Sequence, residues 1–130
     1  MNNIFVVIAM VFMHIIDDYC LQAHCLCDLK QKSFWEKNAP QESYKYDYIW
    51  ALLMHAFSWS FMIMLPCAFI LNFNVGWGFV FFLLFNTGMH ALIDDLKANK
   101  KFINLWIDQL CHLVQIAGTF AIFMLGGLGC

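Results

Sequence analysis

The feature that most constrains the fold is a set of four apolar segments, each long enough, or nearly so, to cross a bilayer. A helix needs about 20 residues to span roughly 30 Å of hydrocarbon. The segments cover residues 3–21, 46–71, 77–93 and 103–125. The chain of 130 residues is 62% hydrophobic and 12% charged, whereas soluble domains are about half apolar and a quarter charged. The sequence therefore predicts an all-α integral membrane protein, a single domain of four transmembrane helices.

The positive charges predict how these helices are oriented. All seven are lysines, and they fall in two connections, residues 23–45 and 94–101. The positive-inside rule places such loops in the cytoplasm, so we expect both termini on the outer side of an inner or plasma membrane. The first apolar segment lacks a basic start and a small-residue cleavage pattern, and we interpret it as a retained span. The nearby thiols of Cys20, Cys25 and Cys27 should then stay reduced.

A short internal similarity favours two parallel helical hairpins. Residues 13–18, Met-His-Ile-Ile-Asp-Asp, resemble residues 89–95, Met-His-Ala-Leu-Ile-Asp-Asp. In each half an inward-running helix is followed by an outward-running helix that carries one histidine, as expected of a parallel repeat. Residues 72–76 predict a tight turn between the halves. Residues 33–37 predict a short interfacial helix, and Gly126-Gly127 is expected to end the last helix.

Each predicted helix carries polar residues spaced so that they share one face. Residues three or four apart lie on the same side of a helix. His14 and Asp18, His90 and Asp94, and Asp108 and His112 are each one turn apart. The four stripes are His14, Asp17 or Asp18 and Gln22; Asp47 or Tyr48, His55 and Ser58; Asn86, His90, Asp94 and Lys97; and Lys101, Asn104, Asp108, His112 and Gln115.

Depth brings the stripes into one layer. At about 1.5 Å of rise per residue, His55 and His112 lie roughly 15 Å from the lysines that precede their helices, and His90 lies about 10 Å from the lysine that follows it. His14 reaches the same side because its helix runs inward. A carboxylate at mid-membrane costs about 2.5–3.5 kcal/mol. We therefore expect the histidine and aspartate side chains to face one another.

A divalent cation would satisfy such a layer, because neutral imidazole and carboxylate groups are metal ligands and the cation offsets the negative charge. We expect one or two ions, with Zn²⁺ or Mn²⁺ suited to mixed nitrogen and oxygen ligands. Asp17 and Asp95 are expected to cap a helix or face water. A purely structural polar network and an ion or proton pathway remain as alternatives. The predicted ligands are His14, Asp18, His55, His90, Asp94 and His112.

The layer predicts metal-dependent hydrolysis of an ester or phosphoester that reaches the site from the membrane interface. A bound cation lowers the pKa of a water molecule toward about 7 and polarises the substrate oxygen. Asp108 is predicted to orient His112 or to act as the base that takes the proton from water. Lys97 or Lys101 would attract an anionic headgroup. The expected partners are the lipid bilayer and a lipid-like or phosphorylated substrate, and no nucleic acid.

These residues also support a resemblance. The motif His14-x-x-Asp17-Asp18-x-x-x-Gln22 resembles the opening motif of bacterial and phage membrane proteins catalogued as domain of unknown function 3307. That family is similar to the membrane-bound metal-dependent hydrolases of the YdjM type, which are small helical bundles, so the resemblance implies a hydrolase. The present chain has no arginine, which leaves a metal and lysines to meet a phosphate. Later residues that continue the resemblance are His55, His90, Asp94 and His112.

Two other classes of function fit the same stripes. A metal-ion or proton carrier also places ionisable groups within its spans, although polar residues become sparse beyond Ser60 and Gln115. A non-enzymatic membrane protein would use the layer only as a structural polar or metal-stabilised core.

Overall fold

A computed structural model describes residues 2–22 and 24–125, apart from the side chains of His24, Met124 and Leu125. This part of the chain is helical and contains no strand. Two short π-helices cover Ile16–Leu21 and Ala121–Leu125, and a 3₁₀ turn covers Glu42–Tyr44. The α-helices are α1 (Asn3–Ile15), α2 (His24–Leu29), α3 (Lys32–Asn38), α4 (Asp47–Ile70), α5 (Trp77–Ala98) and α6 (Leu105–Phe120).

Four of the helical stretches are long and apolar enough to cross a membrane. They correspond to the four segments that the sequence singled out. The main difference is at the end of α5, which was predicted at residue 93 but lies at Ala98. The polar run at 94–98 continues the helix, and its first side chain, Asp94, is buried in the bundle. The four stretches are Asn3–Leu21, Glu42–Ile70, Trp77–Ala98 and Leu105–Phe123.

The connections between these stretches contain short helices and hydrogen-bonded turns. The interfacial helix predicted at 33–37 is α3, and the thiols of Cys20, Cys25 and Cys27 are exposed and free. The turn predicted at 72–76 reverses the chain through two residues with positive φ, Asn72 at 51° and Phe73 at 58°. The Phe73 amide donates to the carbonyl of Ala68 at 2.8 Å, which satisfies an open carbonyl at the end of α4. Gly126-Gly127, expected to end the last helix, lies outside the described residues.

The first span changes pitch before it ends. From Ile16 to Leu21 it is a π-helix, and the Gln22 amide donates to the carbonyl of Asp17, five residues back, at 3.0 Å. Such insertions widen the turn and occur frequently at functional sites. Here Asp17 points into the bundle and is only 1% exposed. The expectation that Asp17 caps a helix or faces water is therefore wrong, because it assumed a regular α-helix.

The spans pack as a ring in which α4 contacts both α1 and α5, while α6 contacts α5 and α1. Later residues of the first span pair with earlier residues of α4: His14 with Trp59, and Asp17 with Ser58. The first span and α4 therefore run antiparallel. The pair Lys97 and Asp108, with other α5–α6 pairs, gives the same relation for α5 and α6. The far half of the bundle is an apolar core that consists of Val6, Met10, Trp59, Ile63, Met64, Cys67, Ala68, Phe79, Ile116 and Phe123.

The polar groups of this bundle lie inside, and large apolar groups lie outside. Trp77 and Trp106 are 87% and 85% exposed. At one end, the Lys32 amide donates to Asn99 Oδ1 at 2.8 Å, and Asn99 Nδ2 donates to the Lys30 carbonyl at 3.1 Å. These bonds bring the two lysine-bearing connections together at the same end of the molecule.

Candidate metal centre

Histidines and aspartates from all four spans meet in the half of the bundle next to the lysine-bearing connections. The four histidines predicted to form a layer are each at most 3% exposed. They converge because each lies on the inner face of its helix. The histidines of the first span, α5 and α6 each have an aspartate one helical turn away. The residues concerned are His14, Asp17 and Asp18 of the first span, His55 of α4, His90 and Asp94 of α5, and Asp108 and His112 of α6.

One group that could hold a metal ion joins three spans. It consists of Asp18, His55 and His90, whose ligand atoms all lie within 4.8 Å of one another. The Nε2 atoms of His55 and His90 are 3.2 Å apart, and His55 Nε2 is 3.4 Å from Asp18 Oδ1. Two imidazole nitrogens and a carboxylate oxygen therefore point at a common centre.

A second group shares one histidine with the first. His90, Asp94 and His112 also place their ligand atoms within 4.8 Å of one another. Asp94 Oδ1 lies 3.8 Å from the Nε2 atoms of both His90 and His112. Asp108 extends the set, since its Oδ1 is 3.4 Å from His112 Nε2. His90 thus stands between the two groups.

The separations match those of a metal coordination shell. Ligands that sit about 2.0–2.1 Å from a tetrahedral ion are about 3.3–3.4 Å from each other. The separations of 3.2 and 3.4 Å around His55 fall at this value, and the 3.8 Å separations around Asp94 are slightly longer. An ion could therefore be bound here with only small side-chain movements.

Several polar atoms of this cluster are buried without a hydrogen-bond partner among the described residues. Buried polar groups in folded proteins are nearly always paired, and each exception indicates a missing partner such as a water or an ion. The Nδ1 atoms of His90 and His112 lie on the opposite side of their rings from the Nε2 atoms that face the cluster, so an ion there could satisfy only carboxylate oxygens of this set, such as those of Asp18 and Asp108. The cluster atoms concerned are Asp17 Oδ2, Asp18 Oδ1, His90 Nδ1, Asp108 Oδ1 and His112 Nδ1.

The charges of the cluster do not balance. Four carboxylates face two ammonium groups, so two negative charges are in excess when all four carboxylates are ionised and the imidazoles are neutral. Lys30 Nζ donates to Asp94 Oδ2 at 2.6 Å, and Lys97 Nζ donates to Asp108 Oδ2 at 2.6 Å. Since uncompensated buried charge is costly, one divalent cation would complete the set. The carboxylates are those of Asp17, Asp18, Asp94 and Asp108.

His14 lies in neither of the two groups, although the sequence predicted it as a ligand. Its Nδ1 accepts a hydrogen bond from Trp59 Nε1 at 2.8 Å, and its Nε2 is 3.1 Å from Gln109 Oε1. When Nδ1 accepts from tryptophan and Nε2 donates to glutamine, neither nitrogen of the imidazole has a free lone pair that could bind a metal. His14 therefore supports the neighbouring groups instead of facing them as a ligand.

Trp59 forms an aromatic platform under the histidines. Its ring stacks on His90 with centroids 4.2 Å apart, and His90 stacks on His112 at 4.3 Å. Trp59 also donates to His14, as described above. One fully buried side chain therefore fixes three imidazole orientations. Trp59 lies one helical turn after His55, but it belongs to none of the polar stripes that the sequence shows.

Replacing Trp59 by phenylalanine should lower the free energy of unfolding by about 1–3 kcal/mol, because His14 Nδ1 loses its donor while it stays buried. Thermal unfolding in detergent, followed by circular dichroism, measures this change. Trp50→Phe is the matched control on the same helix: Trp50 is 68% exposed, so the change should stay within about 0.5 kcal/mol. Equal effects of the two substitutions would contradict this role of Trp59.

The other predicted residues divide between the cluster and the surface. Lys97, predicted to attract a substrate, donates to Asp108 Oδ2 at 2.6 Å. Lys101 is exposed in the connection, and Asn104 caps α6 by accepting from the Ile107 amide at 3.0 Å. Asp95 accepts from Asn99 Nδ2 at 2.8 Å and belongs to neither of the groups that could hold a metal ion.

Two side chains that are not among the predicted ligands or catalytic residues complete the site. Lys30 belongs to the first connection, yet it is only 7% exposed and is bonded to Asp94. Asp17 accepts from Ser58 Oγ at 2.6 Å and lies 3.6 Å from His55 Nδ1, on the side of the ring opposite Nε2. A carboxylate at that position orients a metal-binding histidine.

No family model, no curated protein and no solved structure matches this chain. The interpretation of the site therefore depends on its own geometry. That geometry consists of buried histidines and aspartates from four helices, and these groups could hold a metal ion.

Proposed function

We propose that this protein is a membrane-embedded, metal-dependent hydrolase that acts on an ester or phosphoester at the cytoplasmic face of the membrane. The observation that carries the proposal is the buried cluster in which histidine and aspartate ligand atoms from several helices lie within 4.8 Å of one another, with more carboxylates than ammonium groups. The relation to the domain of unknown function 3307 family and the YdjM-type hydrolases is part of the same proposal.

Insertion into a membrane is supported by the distribution of polarity. The outward faces of the spans carry large apolar side chains, and the polar groups are buried between the spans. In water this arrangement would expose a large apolar surface, whereas in lipid the apolar side chains face hydrocarbon and the polar side chains stay away from it. The lysine-bearing connections lie together at one end, which the positive-inside rule assigns to the cytoplasm.

The chemistry follows from the residues around the cluster. A bound cation would supply an activated water and polarise the oxygen of the scissile bond. Asp108 Oδ1 lies 3.4 Å from His112 Nε2, beside a potential metal ligand, where it could accept the proton of that water. Asp108 Oδ2 accepts from Lys97 at 2.6 Å and from Gln109 Nε2 at 3.1 Å, and these bonds hold the carboxylate in place. We assign Asp108 as the general base.

The far half of the bundle favours a hydrolase over a carrier. Polar contacts continue beyond the histidines as far as a buried set in which Gln115 Nε2 donates to Asn86 Oδ1 at 2.9 Å, and Asn86 Nδ2 donates to Thr119 Oγ1 at 3.0 Å. Beyond this set, the described side chains that fill the centre of the bundle are apolar. An ion path to the outer face would have to cross that apolar core, whereas a hydrolase needs access from one side only.

The direct test measures hydrolysis by purified protein in detergent with chromogenic phosphodiesters and lipid esters. The proposal predicts turnover that a chelator removes and a divalent cation restores. Asp108→Asn should keep the metal but lose about 10²–10⁴-fold in rate, the usual contribution of a general base. If metal-loaded protein hydrolyses none of these substrates but conducts ions in proteoliposomes, the hydrolase proposal is wrong and a carrier takes its place.

The native thiols test the proposed orientation. Cys25 and Cys27 are exposed in the first connection, so a membrane-impermeant maleimide should label them only after intact spheroplasts are permeabilised. Mass spectrometry of the labelled peptide measures the extent. The Cys25→Ser, Cys27→Ser double variant shows the background from the other thiols. Labelling before permeabilisation would contradict a cytoplasmic location for this connection.

A further inference from the structure

A cavity of about 300 Å³ lies beside the cluster at the lysine end of the bundle. Its lining includes two lysines and one of the potential metal ligands: Lys30, Lys97 and Asp94. Gln22, Cys27 and Gln31, from the end of the first span and the connection that follows it, form another part of the lining. The volume is at the lower end of the about 300–1,000 Å³ range of small-molecule sites.

Each lysine of this cavity is held by a carboxylate of the metal cluster. Lys30 is paired with Asp94 and Lys97 with Asp108, both at 2.6 Å. Asp94 and Asp108 are also the carboxylates nearest to His112, at 3.8 and 3.4 Å. The ammonium groups hold the Oδ2 atoms, whereas the Oδ1 atoms face the histidines, so a cation bound at Oδ1 would draw on the negative charge of the same two carboxylates.

The charges also set an order of binding. Without a cation the cluster has two negative charges in excess, which repel an anion at the cavity. A divalent cation would cancel that excess and weaken the hold of Asp94 and Asp108 on the lysines. The ammonium groups would then be available to a ligand in the cavity, next to the cation.

We propose that this cavity binds a phosphate-type oxyanion between Lys30 and Lys97, and that it does so only when a divalent cation occupies the histidine–aspartate cluster. This inference depends on the proposed metal site and specifies the substrate class of the proposed hydrolase. Lysine ammonium groups bind phosphate as point charges. The chain has no arginine that could take this role. The phosphate belongs either to a lipid headgroup or to a free phosphate compound.

The test uses Mn²⁺-loaded protein in nanodiscs and the ³¹P relaxation of inorganic phosphate, which a paramagnetic ion accelerates only at short range. The inference predicts saturable relaxation enhancement with Mn²⁺-loaded wild type. It predicts none with protein in which Mg²⁺ replaces Mn²⁺, and no phosphate binding by metal-free protein. Phosphatidic acid added to the nanodiscs distinguishes the sources: displacement of inorganic phosphate identifies a lipid headgroup as the ligand, and no displacement identifies a free phosphate.

The lysine variants locate the binding site. Lys30→Met and Lys97→Met should each weaken phosphate binding about 10-fold or more, since each removes a charged hydrogen-bond donor, while bound Mn²⁺ is retained. Lys100→Met is the matched control, because Lys100 pairs with Asp95 outside the cavity; it should leave phosphate binding unchanged.

Two results would overturn the inference, and they separate it from the proposed function. If wild type retains Mn²⁺ but shows no saturable ³¹P enhancement, the phosphate site is wrong and the metal site stands. If wild type binds no Mn²⁺ or other divalent cation, the proposed function fails and this inference fails with it. Enhancement of equal affinity in wild type, Lys30→Met and Lys97→Met also contradicts the inference. The wild-type measurement decides even if one variant does not fold.

Discussion

Replacing His90 by alanine is expected to remove metal binding almost completely. His90 is the residue that the two potential metal-binding groups share, so no alternative group keeps its full ligand set in the variant. Loss of an outer partner of a metal ligand typically costs about 10–100-fold in affinity. Loss of His90 should therefore exceed about 100-fold. Chelator competition with a metal-sensitive dye measures the affinity of the purified protein in detergent.

Two control substitutions test whether the loss of metal affinity is specific to His90. His14→Ala removes a buried histidine whose nitrogens are bonded to Trp59 and Gln109, so affinity should fall only within the about 10–100-fold range of an outer partner. Met89→Ala changes the neighbouring residue on the outer face of α5, where Met89 is 39% exposed, and should leave affinity unchanged. A larger loss for His14→Ala than for His90→Ala would contradict the assignment of the ligands.

The second large effect is expected for Lys30→Met. In metal-free protein the substitution leaves Asp94 buried and without its ammonium partner, and such a change typically destabilises by about 3–5 kcal/mol. With metal present the cation replaces the lost charge. The loss of stability should then be much smaller. Metal should therefore raise the melting temperature of Lys30→Met more than that of wild type, because the variant should bind the cation more tightly and tighter binding stabilises the folded state more.

Thermal unfolding of both proteins, with and without the cation, measures this difference. Lys100→Met is again the control, since the Lys100–Asp95 pair is partly exposed, with Nζ and Oδ2 3.2 Å apart, and such pairs contribute about 0–1 kcal/mol. If the cation stabilises wild type and Lys30→Met equally, Lys30 and the metal do not compete for Asp94. The account of charge balance in the cluster would then be wrong.

The four helices were predictable because their composition and length are informative on their own. A helix that turns its polar groups toward neighbouring helices shows them as stripes at a spacing of three or four residues. The convergence of His55, His90 and His112 with Asp18 and Asp94 follows from that spacing together with the depth argument. The prediction of these residues did not depend on the structure of the loops.

The remaining features of the site depend on structure that periodicity does not reveal. The π-helical end of the first span brings Asp17 inward, and no sequence pattern marked that change of pitch. Lys30 reaches Asp94 from a connection 64 residues earlier in the chain, a contact that only the folded path of the connection creates. His14 was predicted as a ligand because its spacing is correct, but spacing does not reveal that Trp59 and Gln109 engage its nitrogens.

The central claim is that a divalent cation binds among imidazoles and carboxylates from all four spans. X-ray absorption at the metal edge of purified, metal-replenished protein tests it most directly. The account predicts one ion per chain, with nitrogen and oxygen ligands at about 2.0–2.2 Å and an imidazole scattering pattern. Sulfur ligands at about 2.3 Å would place the metal at cysteines instead, and no bound metal after replenishment would leave the cluster without its proposed role. Either result would contradict the account.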